Sequence, residues 1–292
     1  MTKLQKIYPY LFFLPIAPFF LGVLFYPWII SLFYSVHEYK PTISQGITFV
    51  GLNNYVNLIL NPEFHRSLFV TFYFAIGAVT LELILGLGVA LLVDREFRLN
   101  RIVTTLILVP MVVAPASAAL SMRQFIHPIL GLFNFMLAWL GLPPQDWMGN
   151  PDLAIPVAIL MDVWQNTSFV TLIILAGLHA LPVEHVEAAQ IDGAGSWQLF
   201  RYIKLPFLRP LILIAILFRT MFALRVFETI LLVFSETGGP ANAAQVLGIF
   251  LYWIGFRAWD FGLAAAMSWI MLLITISITI VLVFSLYKEV EL

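Results

Sequence analysis

Long apolar stretches separated by shorter polar segments run through this chain and predict six membrane-crossing helices. Their approximate limits are 10–36, 67–93, 102–122, 153–179, 208–234 and 261–286. About 20 residues suffice to cross a hydrocarbon core of ~30 Å, and longer stretches allow for tilt. The first stretch is too long and too aromatic for the apolar core of a signal peptide, so we expect it to be a retained helix. The pattern predicts an all-α membrane protein.

The segments between these stretches divide the chain into two predicted parts. Residues 1–66 hold the first helix and an outer loop, and residues 67–292 form a core of five helices. A second loop, 123–151, includes a short apolar patch from Ile129 to Leu142 that we expect to lie against the membrane surface. The stretch from Ala243 to Phe256 is too short to cross and predicts an interfacial or re-entrant helix.

Residues 182–206, named here the docking segment, are the one long polar interval and predict two short helices with a turn between them. Pro182 suits a first helical position. Gly193 and the glycine two residues later break the first helix. Ser196 is a good N-cap for the second helix, and Pro206 is predicted to end it.

Small side chains at the turn and a ring of charges around it predict a surface on which another protein docks. The small residues are Ala188, Ala189, Gly193, Ala194 and Gly195, and the charged ones are Glu184, Glu187, Asp192, Arg201 and Lys204.

Composition supports a membrane location and excludes several functions. Hydrophobic residues make up 61% of the 292 residues and charged residues 11%, against roughly 25% charged in soluble domains. The absence of cysteine excludes disulfides and thiolate metal sites, and a net charge of −1 argues against a nucleic-acid partner. No G-x-x-x-x-G-K-[ST], H-E-x-x-H or G-x-S-x-G motif occurs, so we predict a membrane protein without catalytic activity of its own.

The distribution of basic residues predicts that both termini are cytoplasmic, because cytoplasmic loops are enriched in Lys and Arg. With the N-terminus inside, nine basic residues fall on the inner side: Lys3, Lys6, Arg95, Arg98, Arg101, Arg201, Lys204, Arg209 and Lys288. Four fall outside: Lys40, Arg66, Arg123 and Arg257. The docking segment is therefore predicted to be cytoplasmic.

The docking segment resembles the EAA loop of ABC-importer permeases. The matching positions are Glu187, Ala188, Ala189, Gly193, Ile203, Leu205 and Pro206, supported by Asp192, Ala194 and Phe200. Two weaker elements resemble carbohydrate permeases: Thr237-Gly238-Gly239-Pro240, and Gly131 with Asn134.

This resemblance implies a type I ABC-importer permease bundle in the inner membrane of a prokaryote. It implies a heterodimer with a second, homologous permease, a dimer of ABC ATPases bound at the EAA loop, and an extracytoplasmic substrate-binding protein. ATP and Mg²⁺ would bind to the partner ATPase, with no cofactor in this chain. The coupling residues would be Glu184, Glu187, Ala188, Ala189, Asp192, Gly193, Ala194 and Phe200. The solute would be a sugar, such as trehalose, maltose or another α-glucoside.

Polar residues inside the predicted spans mark a candidate sugar site, because charges in a membrane usually face a cavity or a partner. The predicted site residues are Trp164, Gln165, Asn166, Arg225 and Glu228. Asp162, Gln165 and Asn166 share one helix face, and Arg225 and Glu228, three apart, are expected to pair on one helix.

Several roles stay open from the sequence alone. Arg219 and Arg225 have either a binding role or a purely structural one, whereas helix packing is favoured for Glu82. An importer of glycerol phosphate or another small solute would use Arg219 or Arg225 to bind an anion. An ion-coupled secondary transporter would use Asp162, Glu82 and Glu228 as proton or ion sites.

Overall fold

The computed structural model describes residues 17–43, 46–95, 98 and 100–290. The predicted stretch 10–16, Lys3 and Lys6 lie outside the described residues. The described chain is almost entirely helical, with one small antiparallel hairpin, β1 (His37–Glu38) and β2 (Thr48–Phe49).

Three of the described helices include a π-helical turn. Helix α1 joins Ala17–Phe20, the π turn Leu21–Phe25 and Tyr26–Ser35; α2 is Asn53–Leu60, α3 Pro62–Val93, α4 Asn100–Val112, α5 Pro115–Phe125, α6 Leu132–Trp139, α7 Pro151–Ala180 and α8 Val183–Ile191. Helix α9 joins Ser196–Leu199, the π turn Phe200–Lys204 and Leu205–Ala223; α10 is Glu228–Phe234, α11 Leu247–Tyr252 with the π turn Trp253–Arg257, and α12 Phe261–Val290. A 3₁₀ turn covers Pro240–Asn242.

Five of the described helices are long and apolar enough to cross a membrane. They are Pro18–Ser35, Pro62–Val93, Pro151–Ala180, Ser196–Ala223 and Phe261–Ser285. The pair α4 and α5 brings the number to six if it forms one broken span. The predicted all-α membrane bundle is confirmed.

The prediction of a single helix over the third span, 102–122, is wrong. Helices α4 and α5 meet at an angle of 100°. Ala114 lies between them with φ −57° and ψ 133°, outside the helical region. Pro115 explains this conformation, because a proline ring disfavours the α region for the residue before it.

The predicted fifth span, 208–234, and the predicted helix end at Pro206 are also wrong. The helix runs from Ser196 to Ala223 without interruption. Just before Pro206 it forms a π turn, in which the Leu205 N–H bonds to the carbonyl five residues earlier. This local widening accommodates a proline that cannot donate a hydrogen bond. The helix then ends at Ala223, and a new short helix, α10, follows after residues 224–227.

Two compact units make up the described chain. One combines the residues up to Phe64 with Leu251–Leu273, and the other combines His65–Phe250 with Ile274 onward. In the first unit Asn54 donates to the carbonyls of Ser35 (3.0 Å) and His37 (2.9 Å), and Lys40 pairs with Asp260 at 3.1 Å. These bonds hold the loop after α1 in place.

The second unit contains the buried apolar core. Helix α7 is central: α4 and α9 both pack along it, and α10 packs against α5. Gly86 on α3 has no room for a side chain, since a Cβ there would lie 2.6 Å from Val170 of α7. Close packing of α3 against α7 therefore depends on a glycine.

The short stretch from Ala243 to Phe256 is partly helical, and part of it is buried in the protein. Its helix begins at Leu247, four residues later than predicted, and Leu247, Ile249 and Phe250 are buried. The Leu247 N–H donates to the hydroxyl of Thr71 on α3 at 2.8 Å. This helix is too short to cross, as predicted, but its apolar side contacts protein.

Candidate functional site

A cavity of about 520 Å³ lies within the second unit. Its wall comes from the α4–α5 bend, from α7, from the end of α9 and from the segment that follows α9. The lining residues are Met111, Val113, Pro115, Asp162, Gln165, Asn166, Phe169, Arg219, Phe222, Arg225, Val226, Phe227, Glu228 and Thr229. The volume falls in the range of ordinary small-molecule pockets, about 300–1,000 Å³.

Helix α7 presents one face to this cavity. Asp162, Gln165, Asn166 and Phe169 lie at positions i, i+3, i+4 and i+7, which is one stripe of an α-helix. The amide nitrogen of Asn166 donates to the Asp162 carboxylate at 3.0 Å. The predicted shared face of Asp162, Gln165 and Asn166 is therefore present.

The bend between α4 and α5 supplies a partner for Gln165. The carbonyl of Val113 lies in the break, just after the last residue of α4, and accepts a hydrogen bond of 2.9 Å from Gln165 Nε2. This contact across 52 positions of sequence was not foreseeable from the chain pattern. Proline residues near position 113 were its only signal.

Arg219 joins three helices through two carboxylates. Its Nε and Nη2 donate to Glu82 of α3 at 2.6 and 2.8 Å, and Nη2 also donates to Asp162 of α7 at 2.7 Å. Glu82 is completely buried, and Arg219 is 3% exposed. Such paired, hydrogen-bonded charges are the form in which ionised groups are tolerated away from water. The packing role favoured for Glu82 agrees with this arrangement, and Arg219 has a structural role.

Arg225 and Glu228 both line the cavity but do not pair as predicted. The helix ends at Ala223, so the two residues do not occupy successive turns of one helix. Both side chains are exposed, and neither forms a side-chain hydrogen bond or ion pair within the described part of the chain. Their charged groups are available to the cavity.

The structure does not bring Trp164 to the cavity. Two residues beyond Asp162 on α7, it points about 200° around the helix and is exposed on another side. The aromatic rings that line the cavity belong to Phe169, Phe222 and Phe227. Phe169 could have been predicted from the sequence, because it lies three residues after Asn166 on the same helix face.

The docking segment forms an exposed helix–turn–helix at the start of α9. None of the nine residues of α8 is buried, and the apolar Ile191 and Trp197 are 86% and 71% exposed. Gly193 has φ +84°, a left-handed conformation that glycine adopts without strain. The predicted turn at Gly193 is confirmed.

Two predicted helix boundaries in the docking segment move by one residue. Pro182 precedes α8 as its N-cap residue, and Gly195, one residue before Ser196, caps α9. Gln198 completes this start by accepting a hydrogen bond of 2.8 Å from the Gly195 N–H through its side chain. Lys204 pairs with Asp94 at 2.6 Å, which ties the segment to the end of α3.

The predicted coupling residues lie together on this segment. Glu184, Glu187, Ala188, Asp192 and Gly193 are exposed, whereas Ala189, Ala194 and Phe200 are half-buried. A small hollow of about 250 Å³ opens beside the turn, lined by Ala189, Asp192, Gly193, Ala194, Gln198, Tyr202 and Ile203. Among the described residues, no group of three or more His, Cys, Asp or Glu side chains is arranged to hold a metal ion.

Comparison with known proteins identifies the family. The family model described as the binding-protein-dependent transport system inner membrane component matches residues 82–288. A probable ABC transporter permease protein of Sinorhizobium fredii is 37% identical over 278 residues, covering 95% of this chain and 89% of that protein. The trehalose/maltose transport system permease protein MalF of Thermococcus litoralis is 35% identical and covers 93% of this chain and 91% of its own length.

The fold agrees with a solved structure. A chain of a bacterial ABC transporter involved in the import of the acidic polysaccharide alginate superposes with a TM-score of 0.85 at 22% identity, over 97% of this chain and 96% of that one. The chain described here belongs to the family of binding-protein-dependent transport system inner membrane components. The predicted resemblance to ABC-importer permeases is confirmed.

Proposed function

We propose that this chain is a permease subunit of an ATP-driven importer for a neutral disaccharide, with trehalose and maltose as the first candidates. The observation that carries the proposal is the cavity: it combines amide groups on α7, two titratable side chains at 225 and 228, and three phenylalanine rings. Hydroxyl groups of a sugar hydrogen-bond to such amides, and apolar faces of sugar rings pack on aromatic rings. Relatives named for trehalose or trehalose/maltose transport support the same class.

The pairing of Arg219 argues against an anionic solute. Two carboxylates already engage its guanidinium group. Arg219 is therefore not available as the counter-charge of a phosphate. This observation favours a sugar over glycerol phosphate. The ion-coupled carrier is disfavoured because the chain belongs to a family of binding-protein-dependent systems.

A second candidate, the import of an acidic solute, is favoured by Arg225. Its exposed guanidinium lines the cavity without a side-chain partner in the described part of the chain. A relative that is 29% identical is named as a sulfoquinovosyl glycerol transport permease. Competition of phosphate or sulfonate esters with sugar uptake separates the two candidates.

The docking segment is the proposed attachment site of the ATPase dimer, which would hold ATP and Mg²⁺. Its support is an exposed helix, α8, without buried residues and with apolar side chains at its turn. Helix faces without a core partner mark interaction sites. The remaining proposed partners are a second, homologous permease and an extracytoplasmic binding protein. Both termini and the docking segment would be cytoplasmic in a prokaryotic inner membrane.

The test uses the whole complex, purified from cells that express this chain together with its partner permease, ATPase and binding protein. ATP hydrolysis is measured in proteoliposomes with the binding protein and, in turn, trehalose, maltose and glycerol 3-phosphate. We expect trehalose or maltose to stimulate hydrolysis severalfold. Stimulation by glycerol 3-phosphate alone would transfer the assignment to the acidic solute, and a complex without an ATPase that still pumps would refute the proposed coupling.

A further inference from the structure

The side-chain nitrogen of Asn166 has no hydrogen left for a solute. It donates to the Asp162 carboxylate oxygen Oδ1 at 3.0 Å and to the Asp162 backbone carbonyl at 3.1 Å. An amide nitrogen carries two N–H donors, so both are used. What Asn166 offers to the cavity is its carbonyl oxygen Oδ1, which only accepts.

The Asn166 amide can adopt only one of its two orientations. Turning the amide by 180° would place its oxygen against two oxygen acceptors of Asp162, and acceptor facing acceptor is repulsive. The amide orientation therefore depends on Asp162 being an acceptor at this position. The carboxylate of Asp162 is in turn held by its second oxygen, which accepts from Arg219 Nη2 at 2.7 Å.

Arg219 is itself fixed from the other side. Glu82 accepts two hydrogen bonds from its Nε and Nη2, at 2.6 and 2.8 Å, in the fork geometry that arginine and a carboxylate share. Guanidinium groups only donate and ionised carboxylates only accept. In the series Glu82, Arg219, Asp162 and Asn166, the donor and the acceptor of each hydrogen bond are therefore fixed.

The side-chain amide of Gln165, the neighbour of Asn166, is fixed in the same way. Its Nε2 donates to the carbonyl of Val113 at 2.9 Å, and reversal would again bring two oxygens together. The cavity-facing side of α7 thus presents carbonyl oxygens from two adjacent amides. Arg225, whose side chain only donates, also lines the cavity.

We infer that Glu82, Arg219 and Asp162 are positioning residues for solute selection, which fix Asn166 as a hydrogen-bond acceptor for a hydroxyl hydrogen of the solute. The inference rests on the sugar transport proposed above and adds a chemical rule to it. The solute must carry a donating hydroxyl at the point that meets Asn166. An analogue with fluorine in place of that hydroxyl keeps its size but cannot donate, and one lost hydrogen bond lowers its relative uptake by about tenfold.

The experiment measures solute preference in the complete transporter, reconstituted in proteoliposomes with its binding protein. The probes are trehalose and the set of its monodeoxyfluoro analogues. Maximal uptake rates are determined at saturating binding protein, and each analogue's rate is divided by the trehalose rate. The variant and the unmodified chain are measured with the same binding protein. Its own preference among the sugars then affects both equally and cancels in the comparison.

The decisive variant is Asp162→Asn. The new amide accepts from Arg219 through its oxygen and turns an N–H toward position 166, so one N–H of Asn166 loses its acceptor. Because the other N–H keeps its bond to the backbone carbonyl of residue 162, Asn166 then offers the solute a donor as well as an acceptor. We expect the analogue that the unmodified chain rejects about tenfold to be taken up about as well as trehalose. Asp162→Glu, which keeps an acceptor, should restore the original preference. Asp152→Asn, an exposed site at the start of α7 outside the cavity, is the matched control and should leave it unchanged.

A purely structural role would give a different result. If Asp162→Asn lowers the uptake of trehalose and of every analogue in the same proportion, the inference is wrong while sugar transport stands. Should that variant fail to assemble, Asn166→Leu is measured instead. Leucine offers no acceptor to the solute hydroxyl, so the preference should disappear, and a retained preference also overturns the inference. If the unmodified complex takes up no sugar, the proposed function fails, and the inference with it.

Discussion

Arg219 shows how a charge is accommodated inside the helical bundle. Both carboxylates around it come from other helices, and Glu82, 137 positions earlier in the chain, is completely buried. Isolated charges at such depth cost several kcal/mol, but a guanidinium with two carboxylate partners and satisfied hydrogen bonds is tolerated. The three residues therefore join α3, α7 and α9 at one point.

Replacing Arg219 by methionine should destabilise the protein strongly. The variant leaves Glu82 and Asp162 as neighbouring carboxylates without a counter-charge, and breaking a buried pair costs about 3–5 kcal/mol. The double variant Arg219→Met with Glu82→Leu should recover part of this loss, since it removes one of the uncompensated charges. Thermal unfolding of the purified complex measures both. Additive losses in the double variant would contradict the pairing.

Gln165→Leu should weaken uptake while ATP hydrolysis remains coupled to the binding protein. The change removes an amide from the cavity wall and leaves the Val113 carbonyl without its donor, which lowers uptake by about tenfold. Thr167→Val is the control, because the Thr167 hydroxyl bonds to the Val163 carbonyl on the same helix and does not line the cavity. Equal uptake in the two variants would remove Gln165 from the site.

At this scale, residue identity and spacing along a helix predicted part of the site. The stripe of Asp162, Gln165 and Asn166 followed from helical periodicity, because these residues lie within one element. The contacts of Arg219 with two carboxylates could not be predicted. Its partners lie on other helices, and the sequence does not show how far apart the helices are. Trp164 was placed at the site for its chemistry, although its position on the helix directs it elsewhere.

At the scale of the element, the docking segment depends on its turn more than on its helices. Helix α8 has no buried residue to hold it, so the positive φ of Gly193 and the bond from Gly195 to Gln198 determine how the two helices meet. Any side chain at 193 would strain the left-handed conformation, most of all a β-branched one.

Gly193→Val should abolish the coupling of ATP hydrolysis to transport while the chain still inserts in the membrane. Its matched control is Gly195→Ala, because Gly195 has an ordinary φ of −75° and the nearest atom to an added Cβ is 3.7 Å away. Sugar-stimulated ATPase activity and membrane-fraction content are measured for both. Normal stimulation in the valine variant would refute a coupling role for the turn.

Prolines explain why element boundaries were only partly predictable. A helix end was predicted at Pro206 and none at Pro115, yet the chain bends at Pro115 and continues as a helix through Pro206. The difference lies in the residues before them: Ala114 leaves the helical region, whereas a π turn from Phe200 to Lys204 precedes Pro206. Hydropathy does not distinguish these two responses.

At the scale of the whole molecule, the orientation in the membrane is open to a direct test, since the chain contains no cysteine. Ile191→Cys places a single thiol on the exposed docking turn, and Glu63→Cys places one at the exposed start of α3. A membrane-impermeant maleimide added to intact spheroplasts should label position 63 and reach position 191 only after the membrane is opened. Labelling of position 191 from outside would reverse the proposed topology.

The uninterrupted helix from Ser196 to Ala223 has a mechanical consequence. It begins at the docking turn and carries Arg219 near its other end, 23 residues away, or about 35 Å at 1.5 Å per residue. A tilt of about 10° around the docking end would move the Arg219 end sideways by roughly 6 Å, more than the length of any ion pair it holds. If the docking segment binds an ATPase as proposed, this one rigid helix would carry a displacement from the docking turn directly to Arg219 at the wall of the cavity.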